Sequence, residues 1–391
     1  MQLKNLLFAL LLLSFSSKAQ SPEITSWIIN TTGATGYNNI PSNVQLVQYS
    51  AGWVYVTCTC IPGYDIGPWA GNPNIPANQN FLFRITRTPQ QNTGVPVNTP
   101  LGHIGTWSNG VSIFNAKDAM SYNNQGVWNQ NAILVEGSSF DTCLGHPAPN
   151  GEYHHHLHPK CLYNENDNTV HSPIIGYAFD GFPIYGAYGY ANTNGTGGIT
   201  RMKTSYRMRN ISARTTLPDG TVLTANQYGP AISGFYPLGY YIEDFEFVNG
   251  LGDLDEHNGR FCVTPEYPAG IYAYFVTVDS LLQGEYPYTL GLTYYGTVPS
   301  GNTGPGSGHN VISEVVTVYT PTSISENGDD FFAAFPNPAS ELLAVESASI
   351  KTIEIFNVTG EEVFSISPSA QNAPVTISVH DLVPGIYFLR V

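Results

Sequence analysis

The chain has 391 residues, enough for one large or two ordinary domains with a substantial core. Charged residues make up only 11% of it and the formal charge is −15, so a polyanionic nucleic acid is excluded as a natural partner and no basic arm is present to bind one. No internal apolar run reaches the length of a membrane span, and the abundance of Gly (39), Pro (28) and Tyr (25) favours strands and loops over helices.

In chain order, Met1–Ala19 reads as an export signal: Lys4 is the positive end, Leu6 to Phe15 the apolar core, and Ser17-Lys18-Ala19 the small-residue cleavage site. Strands are then predicted at Val44–Tyr49, Trp53–Thr59, Phe81–Thr86, Val111–Phe114, Ile174–Phe179 and Ile271–Val278, separated by Gly, Pro and Asn punctuation. A single helical turn is expected at Ala116–Tyr122, and an alternating strand at Val311–Tyr319. Residues 320–330 read as a polar linker. The tail, residues 331–391, carries four further strand patterns and reads as a small β-sandwich. The expected fold class is therefore mostly β, a β-rich body over residues 20–319 with long loops followed by that sandwich.

The densest chemical signal is Tyr153-His154-His155-His156-Leu157-His158, with four of the ten histidines in five positions. In an extended segment, period-two alternation sends His154, His156 and His158 to one face and His155 to the other. His154 and His158 would stand roughly 13 Å apart, too far to share an ion. A transition ion would use His154 with His156, or His156 with His158, and Pro159 as a strand terminator favours the first pair. Asn150-Gly151 just upstream is a turn signal, placing the cluster on the outgoing arm of a hairpin. His146, on the other side of that turn, is the natural third ligand, and a fourth donor could come from Asp180 or from the run Asp253, Asp255, Glu256, His257. Three imidazoles suit copper or zinc. The bland alternative is a hydrogen-bonded polar hub in which the histidines only order a loop.

Calcium is the weaker fit, because the acidic run has no helical flanks and its twelfth position from Asp253 is Thr264, which rules out an EF-hand. Asp180-Gly181 is first of all a turn, with a histidine-orienting carboxylate as its functional reading. Tyr153 could serve a metal centre as a proton or electron donor. The tyrosines and tryptophans could form a glycan platform on the surface but are also ordinary β-core fillers. His103, His171, His309 and His380 read as loop or surface residues. Cys143 and Cys161 bracket the histidines; a bridge between them would stabilise that loop by about 3 kcal/mol, the alternative being two buried thiols. Pairing among Cys58, Cys60 and Cys262 stays open. No nucleophile elbow, Walker loop, dinucleotide fingerprint or His-Glu-x-x-His helix is present.

Two resemblances rest on longer motifs. Phe335-Pro336-Asn337-Pro338-Ala339, Ile353-Glu354-Ile355-Phe356-Asn357-Val358-Thr359-Gly360 and Pro384-Gly385-Ile386-Tyr387 resemble the type A sorting domain of the type IX secretion system. That resemblance implies a Bacteroidetes exporter as partner and a secreted or outer-membrane-surface location. Members continue through a last strand ending in basic residues, whereas this chain stops at Val391, which implies a truncated tail or an incomplete signal.

The body resembles the YHYH family through Ser139 to Pro147, Gly151 to His156, Pro159-Lys160-Cys161-Leu162, Gly176 to Gly186, Leu254 to Phe261 and Thr264 to Pro268. The family's Tyr-His-Tyr-His stands here as Tyr153-His154-His155-His156. Many members carry cysteine where this chain has His257, which puts a family disulfide there in doubt and leaves Cys262 as its displaced counterpart. The family implies no settled reaction. The sequence therefore points to an exported protein with a histidine metal site, against the alternative of an extracellular binding or adhesion module.

Overall fold

Phe81, Phe83 and Ile85 are buried while Leu82, Arg84 and Thr86 between them stay half-exposed, the period-two pattern of a strand with one face on a core. Strands of this kind build the body in the computed structural model, which describes residues 20–321 and, in the tail, residues 332–335, 339, 341–347, 350–357, 360–368, 375–383, 385 and 387–391. The export segment, nearly all of the expected linker and the Pro336–Pro338 part of the tail motif lie outside the described residues. The chain forms two compact units, Met1–Pro321 and Thr322–Val391.

Twelve strands of the body frame the chemistry: β1 (Val44–Tyr49), β2 (Trp53–Cys58), β3 (Phe81–Thr86), β4 (His103–Trp107), β5 (Ser112–Phe114), β6 (His146–Pro147), β7 (Tyr153–His155), β8 (Ile174–Ala178), β9 (Pro183–Tyr185), β10 (Gly259–Cys262), β11 (Ile271–Phe275) and β12 (Thr317–Val318). One sheet runs β12-β1-β2-β3 and a second, larger one β10-β11-β9-β8-β4-β5-β7-β6. Alternate residues of the larger sheet enter two cores. Tyr177, Tyr185, Ala273 and Phe275 join Val54, Val56, Phe83 and Ile85 of the smaller sheet. Ile175, Ala178, Ile184, Tyr272 and Tyr274 pack instead with Ile104, Ile113, Tyr153, Leu290 and Tyr294. A sheet covered on both faces has fully buried strands, as β4 and β8 are.

The histidine-bearing end is an edge of this sheet. β7 pairs in parallel with β5, His154 opposite Ser112, and antiparallel with β6, His154 opposite His146. The β6–β7 hairpin turns at Gly151, whose φ of +81° suits glycine. A Cβ there would also lie 2.8 Å from the Ala77 methyl carbon, so the turn is pressed onto the preceding loop.

Three expectations are corrected. Residues 117–121 are a strand pairing with Asn129–Asn131, followed by a 3-10 turn at Tyr122–Asn124, and not a helical turn at Ala116–Tyr122. The Asn115 side chain accepts from the Lys117 N–H, and Asn123 and Asn124 take positive φ, so asparagine chemistry overrides the helix. Only Thr317–Val318 of Val311–Tyr319 pairs as strand, because Val311 and Val315 are 79% and 95% exposed and present no buried face. His103 is no surface residue: it is fully buried in β4, its Nδ1 2.8 Å from Glu152 Oε1.

In the tail, Phe332–Phe335, Leu342–Ser347 and Val375–Ser378 form one three-stranded sheet and Glu362–Ile366, Ile353–Phe356 and Phe388–Arg390 another. Val345 and Ile377 of the first share a core with Ile353 and Ile355 of the second, a small sandwich as predicted.

Cys143 and Cys161 are bridged, closing a segment of sequence separation 18 around the hairpin. Cys58, Cys60 and Cys262 are free and buried. Chain-entropy arithmetic for a loop of this length gives about 3 kcal/mol. A Cys143→Ser/Cys161→Ser variant is expected to lose that much in urea denaturation; an unchanged midpoint would show that packing alone holds the hairpin.

Candidate metal centre

Directly opposed residues on paired strands share a face, so His146 and His154 point the same way, and His156, two residues beyond His154, joins them. Their Nε2 atoms converge: His146 to His154 is 3.1 Å and His154 to His156 is 3.2 Å. A carboxylate completes the group. Glu136, at the C-terminal end of the short helix Ala132–Glu136, brings Oε2 to 3.2 Å from His146 Nε2 and 3.0 Å from His156 Nε2. These four are the only set of three or more His, Cys, Asp or Glu ligand atoms among the described residues that lie within 4.8 Å of one another.

The other ring nitrogens decide the tautomers. His154 Nδ1 lies 3.1 Å from the Glu152 carbonyl oxygen and His156 Nδ1 lies 2.6 Å from the Asn115 carbonyl oxygen. A carbonyl can only accept, so both Nδ1 atoms carry hydrogen. Ser139 donates its hydroxyl hydrogen to the Glu136 carbonyl at 2.7 Å, so its oxygen accepts from His146 Nδ1, also at 2.7 Å. In their neutral form the three rings thus direct an Nε2 lone pair at one point. Burial, then the neighbouring His146 and His156, hold His154 well below the ordinary histidine pKa and so oppose an added proton. Phe114 stacks on His154 with centroids 3.8 Å apart, and Phe140 meets His146 edge-on at 4.8 Å. The three histidines are buried, whereas the Glu136 side chain is 26% exposed and faces a chamber of about 470 Å³ that the cluster and Lys117 also line.

The remaining residues singled out from sequence lie elsewhere. Tyr153, on the reverse face of β7, donates to Asp141 Oδ2 at 2.9 Å, and burial raises its phenol well above the ordinary range. His155 shares that reverse face, and burial, then the neighbouring His158, pushes its pKa down to about 3. His158 Nε2 is 3.1 Å from Glu165 Oε2, close enough for an ion pair but not aligned as a hydrogen bond. His257 is not in the cluster: its Nδ1 faces Thr293, 2.9 Å from Oγ1 and 3.1 Å from the carbonyl oxygen. Asp180 is also remote, bonded by Tyr274 Oη at 2.6 Å and the Gly296 N–H at 2.8 Å, and orients no histidine of the cluster.

Glu136 is the member that sequence reasoning missed. It lies ten positions before His146 in no metal-ligand spacing, and only the chain path through Gly137-Ser138-Ser139 turns it onto the hairpin.

Burial raises the Asp180 carboxyl to about 6 against an ordinary 3.8. The folded protein therefore keeps a proton that the unfolded chain releases. The associated stability is complete below pH 3.8, and roughly 3 kcal/mol of it is lost as pH rises to 6. Urea midpoints between pH 4 and 6 should fall less steeply in Asp180→Asn than in the natural protein; parallel slopes would refute the assignment.

Two family models match the chain. One described as "YHYH protein" matches residues 82–285, and one described as "Secretion system C-terminal sorting domain" matches residues 333–391. No curated protein and no solved structure matches. The first match contains the β6–β7 hairpin, Glu136, the bridged cysteines and Asp180; the second covers nearly the whole tail sandwich and marks the protein for secretion and the cell surface. No helix among the described residues is long and apolar enough to cross a membrane. The chain belongs to the YHYH family and carries a C-terminal secretion sorting domain.

Proposed function

We propose that the protein is an exported metal-binding protein in which His146, His154, His156 and Glu136 hold one divalent transition ion at the base of a chamber open to small molecules. The observation that carries this reading is the convergence of three Nε2 atoms at 3.1 and 3.2 Å. Between neutral rings with hydrogen on Nδ1 the facing lone pairs repel, and burial strengthens the repulsion. A cation turns the same arrangement into an attractive one. Imidazole-rich sets suit copper and zinc, and also nickel or iron; calcium prefers an oxygen shell. The outward Nδ1–H bonds to Glu152, Asn115 and Ser139 are the kind of support that fixes ring orientation in metal sites.

Export in this reading begins with Met1–Ala19 as secretory signal and ends with the sorting tail on the type IX route of Bacteroidetes, joined to the body by a linker at residues 320–330. When bound, the ion supplies Lewis acidity at the chamber floor. The chain's own contribution is to orient the rings, to pack Phe114 on His154 and Phe140 against His146, and to leave the cluster facing the chamber. Neither Tyr153 nor Asp180 reaches that space, so neither enters as a catalytic group. A surface glycan has no separate support.

Elemental analysis of protein purified without an affinity tag tests the reading. About one transition ion per chain is expected in the natural protein and almost none in His154→Ala/His156→Ala; equal content in both would return the histidines to ordering a disulfide-closed loop in a binding module. Ser139→Ala should keep the ion but weaken it by about 10- to 100-fold, read by competition with a chelating dye.

A further inference from the structure

Resting on that metal reading, we infer that the centre is not a closed tetrahedral one: it keeps a coordination position open toward the chamber and takes there a small anionic oxygen ligand, a carboxylate or a phosphate, whose charge Lys117 pairs. The donor spacing is the first argument. Around the circuit His146, His154, His156, Glu136 and back to His146, the four separations are 3.1, 3.2, 3.0 and 3.2 Å. With metal–ligand bonds of about 2.1 Å, such separations subtend roughly 90–100° at the ion, whereas tetrahedral donors would stand about 3.4 Å apart. Shrinking a tetrahedron to these edges needs bonds of about 1.9 Å, shorter than zinc makes to histidine. Angles near 90° belong to square-pyramidal, tetragonal or octahedral centres, in which four protein donors leave one or two positions unfilled.

The second argument is where an open position can face. Phe140, which does not line the chamber, flanks His146, while Glu136, the three histidines and Phe114, which lies flat on His154, all line it. Glu136 meets the rings through Oε2, 3.2 Å from His146 and 3.0 Å from His156, and binding through that oxygen fills a single position.

Charge gives the class of ligand. Among the described residues lining the chamber, Lys117 is the only lysine or arginine and Glu136 the only carboxylate. A divalent ion beside them makes the chamber net positive in a chain of formal charge −15, a contrast that selects anions. The Lys117 backbone is held by the residue that also positions a ligand: its N–H donates to Asn115 Oδ1 at 2.9 Å, and the Asn115 carbonyl oxygen accepts from His156 Nδ1; Lys117 also lines a second cavity, where its charge acts on Glu243. Asn72 and Asn74, which donate to the Pro147 carbonyl at 3.0 and 3.2 Å, add amide groups to the wall. A chamber of about 470 Å³ suits a small organic acid or phosphate ester.

The test loads untagged protein with cobalt(II), verifies the content by elemental analysis, and follows the visible spectrum during separate titrations with acetate and inorganic phosphate. Weak absorption typical of five- or six-coordinate cobalt is expected, shifting on addition of one anion or both; the responding anion tells carboxylate from phosphate. In Lys117→Gln, cobalt content should be unchanged and anion affinity about five- to tenfold lower. Intense tetrahedral absorption indifferent to both anions would overturn the inference while leaving the metal site standing. Equal anion affinity in Lys117→Gln and natural protein would remove Lys117 from it, and failure to take up cobalt at all would count against the metal reading itself.

Discussion

The chemistry of this protein depends on where three Nδ1 hydrogens go. Each is committed to an acceptor outside the cluster: a backbone carbonyl for His154, another for His156, and a serine oxygen already turned toward Glu136 for His146. Once those bonds form, the rings cannot relieve one another through an N–H bridge. With the rings neutral, the fold therefore holds an electrostatic tension that the proposed cation would resolve, with the neighbouring glutamate supplying part of the countercharge.

Strand pairing generates that geometry. His146 and His154 are juxtaposed because β6 and β7 are antiparallel partners in register, and the parallel neighbour β5 brings Phe114 against His154. A one-residue slip of β7 would turn His155 inward and send His154 and His156 to the reverse face. The disulfide, the Gly151 turn and the interlocking of Tyr153 with Asp141 on that reverse face all oppose such a slip.

Much of this could be read from residue order. Alternation placed β1, β3 and the common face of His154 and His156, and Asn150-Gly151 marked the hairpin that adds His146. What stayed hidden needed the folded path of the chain. Glu136 reaches the cluster through a five-residue helix too short to show a period, capped by the Asn131 side chain. His257 was grouped with the ligands because it stands in an acidic run, yet its loop turns it to Thr293. His103 looked isolated in sequence because its partner Glu152 is 49 positions away. Local pattern carries the strands, and tertiary pairing decides the buried ionisable groups.

The sheet's last strand, His146–Pro147, is only two residues long and ends in a residue without an amide hydrogen. An unpaired strand edge is normally a template for another chain to dock on. Pro147 removes a donor from that border, while Asn72 and Asn74 occupy its carbonyl oxygen. The same short strand that presents His146 to the histidine cluster thus makes this rim a poor seed for fibrous self-association.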